Sequence, residues 1–268
     1  MIIDNSSLGP AIITFMVFSA LFGGMAAILT VFMGPGAIGS GMTELMAYLN
    51  GINYPKFFGM RTLFVKIFGL CLAVSAGLCV GKEGPLAHIG AIIGHMCVYL
   101  PFSGLMKFRN AIDKREMACA GSAAGVSAAF GAPIGGTLLI YECARPSTFW
   151  SFDLTWKIFY TSSISTFVLN VMSAIKKGET VHITNAGLIK FGSYISAPYE
   201  LTDFPFFMIL GVCGGLLGSF FNFINQQVNL LRKIYLNNNW KKVLETLFLT
   251  TITACLISMV PLITRQSC

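Results

Sequence analysis

Long apolar stretches separated by short polar or glycine-rich joints run through this chain of 268 residues. No Asp, Glu, Lys or Arg occurs between Asp4 and Glu44, between Glu116 and Glu142, or between Asp203 and Arg232. A hydrocarbon core of about 30 Å needs about 20 apolar helical residues to cross it. Each run is therefore long enough to span a bilayer or to fold back inside one. The pattern predicts about eight helical membrane segments, near 10–33, 41–50, 57–79, 84–99, 115–129, 134–144, 154–175 and 204–232, with one more near 241–262. Glycines punctuate them at Gly34, Gly36, Gly39, Gly41, Gly81, Gly84, Gly131, Gly135 and Gly136, and several pieces are too short to span. Broken helices are tolerated in lipid only where the freed backbone is buried in protein or lines a watery cavity. Interrupted short segments are thus a pointer to a transporter's binding site. The expected class is all-α: a polytopic membrane protein with broken and re-entrant helices.

Composition sharpens this reading. The chain is 55% hydrophobic and 11% charged, whereas soluble domains carry about 25% charged residues. The start, MIIDNSSLGP, is acidic and polar where a signal peptide would be basic, so the first apolar run is expected to be a retained helix, with Pro10 suited to its beginning. Asn5-Ser6-Ser7 fits a glycosylation sequon but lies almost against that helix. The basic stretches 107–116 and 232–242 read as cytoplasmic loops. A hairpin of two short segments returning near Arg145 puts both on one side, and the polar 176–203 loop on the outer or lumenal side. The net charge of +7 is spread over short loops, not clustered with aromatics as a nucleic-acid footprint would be. The eight cysteines form no CxxC pair and no group with His88, His95 or His182. Cys71, Cys79, Cys97, Cys119, Cys213 and Cys255 lie in apolar stretches and are expected to be buried free thiols acting as small hydrophobes. Neither a disulfide framework nor a metal or cofactor is expected. The small-residue stretch 117–129, with Gly121 and Gly125 in a GxxxG pattern, predicts close helix packing.

Three glycine-rich motifs carry the chemistry: GSGMTE at 39–44, GKEGP at 81–85, and GAPIGG at 131–136 followed by TLLIYE at 137–142. The first two are turns opening helices. The first amides of a helix lack internal acceptors, and with the positive end of the helix dipole they favour an anion. Ser40 adds a hydroxyl donor. Donors without full charge let a small anion bind and leave, as conduction requires. Taken alone, either motif is adequately explained as capping and turn formation. Glu83 is harder to explain so, because acids within membrane segments are costly and are functional by default. A carboxylate at a helix start occupies the place an anion would occupy, so it can compete with a small anion and yield when protonated. Lys82 is expected to face water and concentrate anions locally. A phosphate-binding loop is excluded at GKEGP, which lacks the GxxxxGK[ST] pattern. No Ser/His/Asp, HExxH or paired-carboxylate arrangement suggests an enzyme.

GSGMTE with the following LMAYLNGI, VGKEGPLAH, and AAGVSAAFGAPIGGTLLIYE together resemble, in order and spacing, the three motifs of the CLC chloride channel and chloride/proton antiporter family. The resemblance extends along nearly the whole chain. GKEGP, LTWKIF at 154–159 and GLIKFG at 187–192 resemble the endosomal and lysosomal eukaryotic branch of antiporters. It implies an inverted-repeat helical bundle, homodimeric, in an intracellular membrane. Residues 1–268 would be a partial membrane domain, with a first repeat at about 8–175 and the start of a second, truncated repeat at about 204–262. It also implies that Ser40, flanked by Gly39, Gly41 and Met42, coordinates the central anion, serine here going with chloride and proline with nitrate. Glu83, between Gly81, Lys82, Gly84 and Pro85, would be the external gate and, in antiporters, the proton carrier.

The chain departs from the family in three ways. Met42-Thr43 replaces the usual residues after GSG, with a retained site expected. Glu142-Cys143 stands where antiporters carry paired glutamates, and a thiol of ordinary pKa about 8.5 is a poor proton relay at Cys143. Glu142 is read as structural. The second-half GxFxP motif, the late tyrosine and the nucleotide-binding CBS pair are absent from this sequence. Three functions follow as expectations: chloride/proton antiport in the full-length protein, passive chloride conduction, or a non-transporting membrane subunit associating with full-length relatives.

Overall fold

The computed structural model describes residues 8–101, 109–144, 149–177 and 200–264. The sequon, Lys107, Arg145, His182 and the GLIKFG stretch lie outside the described residues. Nine α-helices occur among them: α1 (Leu8–Ile28), α2 (Met42–Leu49), α3 (Met60–Ser75), α4 (Glu83–Cys97), α5 (Ala111–Phe130), α6 (Pro133–Ala144), α7 (Phe152–Lys177), α8 (Phe204–Tyr235) and α9 (Asn239–Thr264). A π-turn at Leu29–Met33 extends α1, and a 3-10 turn at Pro35–Ala37 follows it.

Helix length separates two kinds of element. The segments Ile12–Met33, Phe152–Lys176, Leu201–Tyr235 and Asn239–Met259 are long and apolar enough to cross a membrane. By contrast α2 has 8 residues, α6 has 12 and α4 has 15. At a rise of 1.5 Å per residue these reach about 12, 18 and 22 Å, short of a full crossing. These are the broken segments expected from the glycine punctuation.

By internal contacts the chain divides into Met1–Ile189 with Val243–Cys268, and Lys190–Lys242. In the first unit α5 is the central helix, packed on α4, α6 and α7. The core joins Leu45, Leu49, Ala87, Ala91, Ala123, Ile140, Leu154 and Ile158. Small residues bring α4 and α5 together as the GxxxG pattern predicts: Gly121 lies against the Gly90 carbonyl and Gly94, and Gly125 against the Leu86 carbonyl. No side chain separates the two backbones there, so dispersion contact is closest where lipid offers no hydrophobic drive. Ser165 Oγ donates to the Ala124 carbonyl at 3.0 Å, tying α7 to α5. In the same unit α9 meets α1, with Gly23 against Thr250 and Gly24 against Leu247. The second unit is dominated by α8, which has no buried residue and presents Phe206, Leu210, Leu217 and Phe221 outward. Its first half, 204–221, is almost wholly apolar, and a helix stretch apolar all round belongs in an apolar medium.

Three boundaries shift from expectation. The 57–79 segment shortens to α3 because Gly59 is extended (φ −132°, ψ 150°) and the chain turns at Gly77 (φ +73°). The 115–129 segment begins earlier because Asn110 caps α5, accepting from the Asp113 amide at 2.8 Å. The 204–232 segment runs on to Tyr235. The cysteines need a correction as well. Of those named, Cys119 is buried, Cys97 and Cys255 are half-buried, and Cys71, Cys79 and Cys213 are exposed. An apolar stretch in a membrane protein is satisfied by lipid, so apolar neighbours in sequence do not imply burial in protein.

Candidate functional site

Between α1 and α2 the backbone loops through Ile38, Gly39, Ser40 and Gly41. Gly39 (φ +72°) and Gly41 (φ +80°) are left-handed, a region that costs side-chain-bearing residues about 1–2 kcal/mol. Gly41 is the N-cap of α2 and makes no side-chain cap. Ser40 Oγ instead accepts from the Met42 amide at 3.3 Å. A hydroxyl has one hydrogen to give, so the Ser40 hydroxyl hydrogen remains for an external acceptor. The α2 helix begins at Met42. Its next amides, on Thr43 and Glu44, have no intrahelical acceptor, as at any helix start.

Beneath this loop lies Lys66 of α3, 4% exposed. Its Nζ donates to the Ala37 carbonyl at 3.0 Å and the Gly39 carbonyl at 2.7 Å. A buried ammonium needs such partners. The bond to Gly39 also orients the loop. In a trans peptide the N–H points opposite the preceding C=O, so holding the Gly39 carbonyl turns the Ser40 amide away from Lys66. Glu44 is the carboxylate that interacts with Lys66 electrostatically. Sequence reasoning missed this lysine, although a lone cation inside the apolar run 62–81 is the same signal that singled out Glu83.

The loop and Lys66 form one side of a cavity of about 420 Å³, lined also by Val65, Leu70, Val80, Gly81 and Pro85. Gly39, Ser40, Gly81 and Pro85, expected together from sequence, thus share one space. Glu83 is the first residue of α4 and half-buried. Its Oε2 lies so close to Gly81 that a Cβ there would come within 2.7 Å, so the carboxylate folds back over the cavity's glycine. It sits in the helix's first turn, where the dipole favours negative charge. Lys82 is exposed and provides no cap. Pro85 has no amide, which leaves α4 with few free donors at its start. Gly41, Met42, Lys82, Glu83 and Gly84 are not cavity-lining residues. Gly84 does touch the loop: a Cβ there would lie 2.7 Å from Ser40 Cβ.

Cys143 lies on α6, half-buried, away from this cavity, and the neighbouring Glu142 is exposed. Among the described residues no group of His, Cys, Asp or Glu is placed to hold a metal.

The chain as a whole is similar to known proteins. Residues 20–267 match the sequence profile of the voltage-gated chloride channel family. The human H(+)/Cl(-) exchange transporter 7 is 35% identical over 260 residues, covering 94% of this chain and 32% of that protein. Chloride channel protein C of Dictyostelium discoideum is 36% identical over 261 residues, covering 94% of this chain and 34% of the relative. The chain thus spans about a third of the length of these curated relatives. The crystal structure of a eukaryotic CLC transporter superposes with a TM-score of 0.68 at 25% identity, covering 90% of this chain and 41% of that one.

Proposed function

This chain belongs to the voltage-gated chloride channel (CLC) family, and on that footing we propose that it forms one wall of a chloride-transport site in an intracellular, multi-pass membrane protein. Ser40 and the free α2 amides receive the anion. Lys66 supplies positive potential without touching it. Glu83 competes for the same place and releases it when protonated. The observation that carries this reading is the shared cavity: Gly39, Ser40 and Lys66 on one side, Gly81 with the Glu83 carboxylate folded over it on the other. The complete protein exchanges chloride for protons, as the name of the human relative states for that protein. It works as a homodimer in a lipid bilayer of the endosomal or lysosomal system. The second wall of the site comes from the second repeat, of which about 204–262 is the beginning.

A second reading rests on Cys143. Without an acid there the protein is a passive chloride conductor; the Dictyostelium relative is named a chloride channel protein. A third, a non-transporting subunit, requires copurification with a full-length relative.

The experiment is chloride efflux from vesicles, with proton movement recorded at the same time. Antiport predicts that a chloride gradient drives protons uphill and that Glu83→Ala abolishes the proton flux while chloride still flows. Chloride flow with no proton movement in the parent protein would sink antiport in favour of conduction. Proton coupling gained by Cys143→Glu would assign the difference to the relay position. Chloride efflux unaffected by Ser40→Ala, with proton flux unaffected by Glu83→Ala, would remove this cavity from the transport path.

A further inference from the structure

Two contacts join the anion loop to the helix that begins at Glu83. Gly84 meets Ser40 Cβ, and a Cβ on Gly41 would lie 2.5 Å from His88 Nδ1. Gly84 and His88 are four residues apart and so share one face of α4. The face that follows the gating carboxylate therefore abuts both Ser40 and its neighbour.

His88 is fully buried. Its Nε2 lies 3.4 Å from the Phe57 carbonyl. A carbonyl can only accept, so the hydrogen sits on Nε2. The ring stacks on Phe57 with centroids 4.0 Å apart and planes at 13°. In this tautomer Nδ1 carries a bare lone pair, and among the described residues it has no hydrogen-bond partner. Buried polar atoms without partners are rare and ask for a reason. A leucine would fill the space without leaving one. The imidazole has two edges doing separate things: the Nε2 edge is anchored to the chain before α3, and the Nδ1 edge is the surface on which Gly41 rests. Gly41 combines a left-handed backbone with the absence of a Cβ, which is what this approach demands.

We propose that His88 is a positioning residue for the anion loop. Anchored by Phe57, it sets where Gly41 and Ser40 sit relative to the start of α4, and hence how well the site fits chloride rather than a planar anion such as nitrate. The proposal rests on the reading of this loop as an anion site.

The test uses the purified protein in detergent with His88→Ala, His88→Gln and Gly41→Ala. Amide hydrogen exchange across 38–46 is measured without chloride, and chloride and nitrate binding are measured by competition calorimetry. His88→Ala speeds exchange in this segment and lowers the chloride-over-nitrate preference by at least about threefold, the scale of coupling between contacting residues. His88→Gln keeps a donor for the Phe57 carbonyl and restores both. Gly41→Ala disturbs the loop by collision, and adding His88→Ala relieves part of that disturbance, so the two changes are non-additive. Parental exchange and parental preference in His88→Ala overturn the proposal. So does faster exchange that His88→Gln fails to restore, because the ring then only fills space. Should His88→Ala not fold, His88→Asn takes its place; it keeps a polar edge toward Gly41 but loses its reach to Phe57, and parental behaviour there overturns the proposal. A parent protein that binds neither anion overturns the anion reading instead, and the exchange result alone then decides the loop coupling.

Discussion

The α4–α5 interface and the 38–41 loop both depend on glycine, for opposite physical reasons. At the interface Gly90, Gly94, Gly121 and Gly125 are helical, and what matters is the missing side chain: backbone carbonyls of the partner helix occupy the space a Cβ would need. In the loop Gly39 has nothing within 4 Å of a Cβ, yet its φ is +72°. There the missing side chain matters only through the backbone angle it permits. Gly41 combines both demands, with a φ of +80° and His88 in the way. The first region is rigid because backbone cannot step aside. The second is held by a few polar contacts, above all those of Lys66 to two carbonyls, which suits a loop that must admit and release an ion.

The largest way to break this contrast is Gly121→Ala. Its new methyl meets the Gly90 carbonyl, and no rotamer change can relieve a backbone collision. A loss of at least about 3 kcal/mol is expected, at the upper end of overpacking costs. It would be read as the disappearance of the monodisperse folded species on size exclusion in detergent. A stable Gly121→Ala protein would mean that α4 and α5 are not in backbone contact.

Lys66→Met tests what holds the loop. The Ala37 and Gly39 carbonyls lose their donor, a net cost of about 1–2 kcal/mol, and the potential at the cavity falls. Chloride binding should weaken about tenfold, equivalent to about 1.4 kcal/mol, with thermal unfolding shifted less than in Gly121→Ala. Unchanged chloride affinity would reduce Lys66 to a purely structural clamp.

Gly39→Ala isolates the backbone term. With open space around the position, the expected cost is the left-handed strain of about 1–2 kcal/mol and no more. It should appear as a modest fall in thermal stability with α4–α5 packing intact. A loss as large as that of Gly121→Ala would show that packing, not φ, constrains the loop.

How much of this was legible in the sequence follows from the same contrast. The GxxxG at Gly121 and Gly125 was readable because helical period puts i and i+4 on one face, and its partners Gly90 and Gly94 repeat that spacing on α4. The cavity was half readable. Motifs at 39–44 and 81–85 named Ser40 and Glu83, but nothing local says that the Glu83 carboxylate folds onto Gly81. Lys66 went unrecognised because it sits mid-helix in no motif, and His88, the last residue of VGKEGPLAH, because nothing local shows what its ring touches; their roles depend on carbonyls 27 and 31 residues away. Cysteine burial was misread because apolar neighbours do not distinguish a protein core from a lipid face.

The smallest expected effect completes the comparison in α8. Gly211, Gly214, Gly215 and Gly218 have neither a positive φ nor any atom within 4 Å of a built Cβ among the described residues. Neither of the two reasons for glycine operates there. Replacing a helix-interior glycine by alanine then gains the usual backbone-entropy term, about 0.5–1 kcal/mol. Gly214→Ala should raise the unfolding temperature slightly or leave it unchanged. A fall instead, of the size expected at Gly121, would identify Gly214 as a second close-packing surface whose partner helix lies outside the contacts described for α8. The sign of this one substitution therefore tells whether the α8 glycines face lipid or another helix.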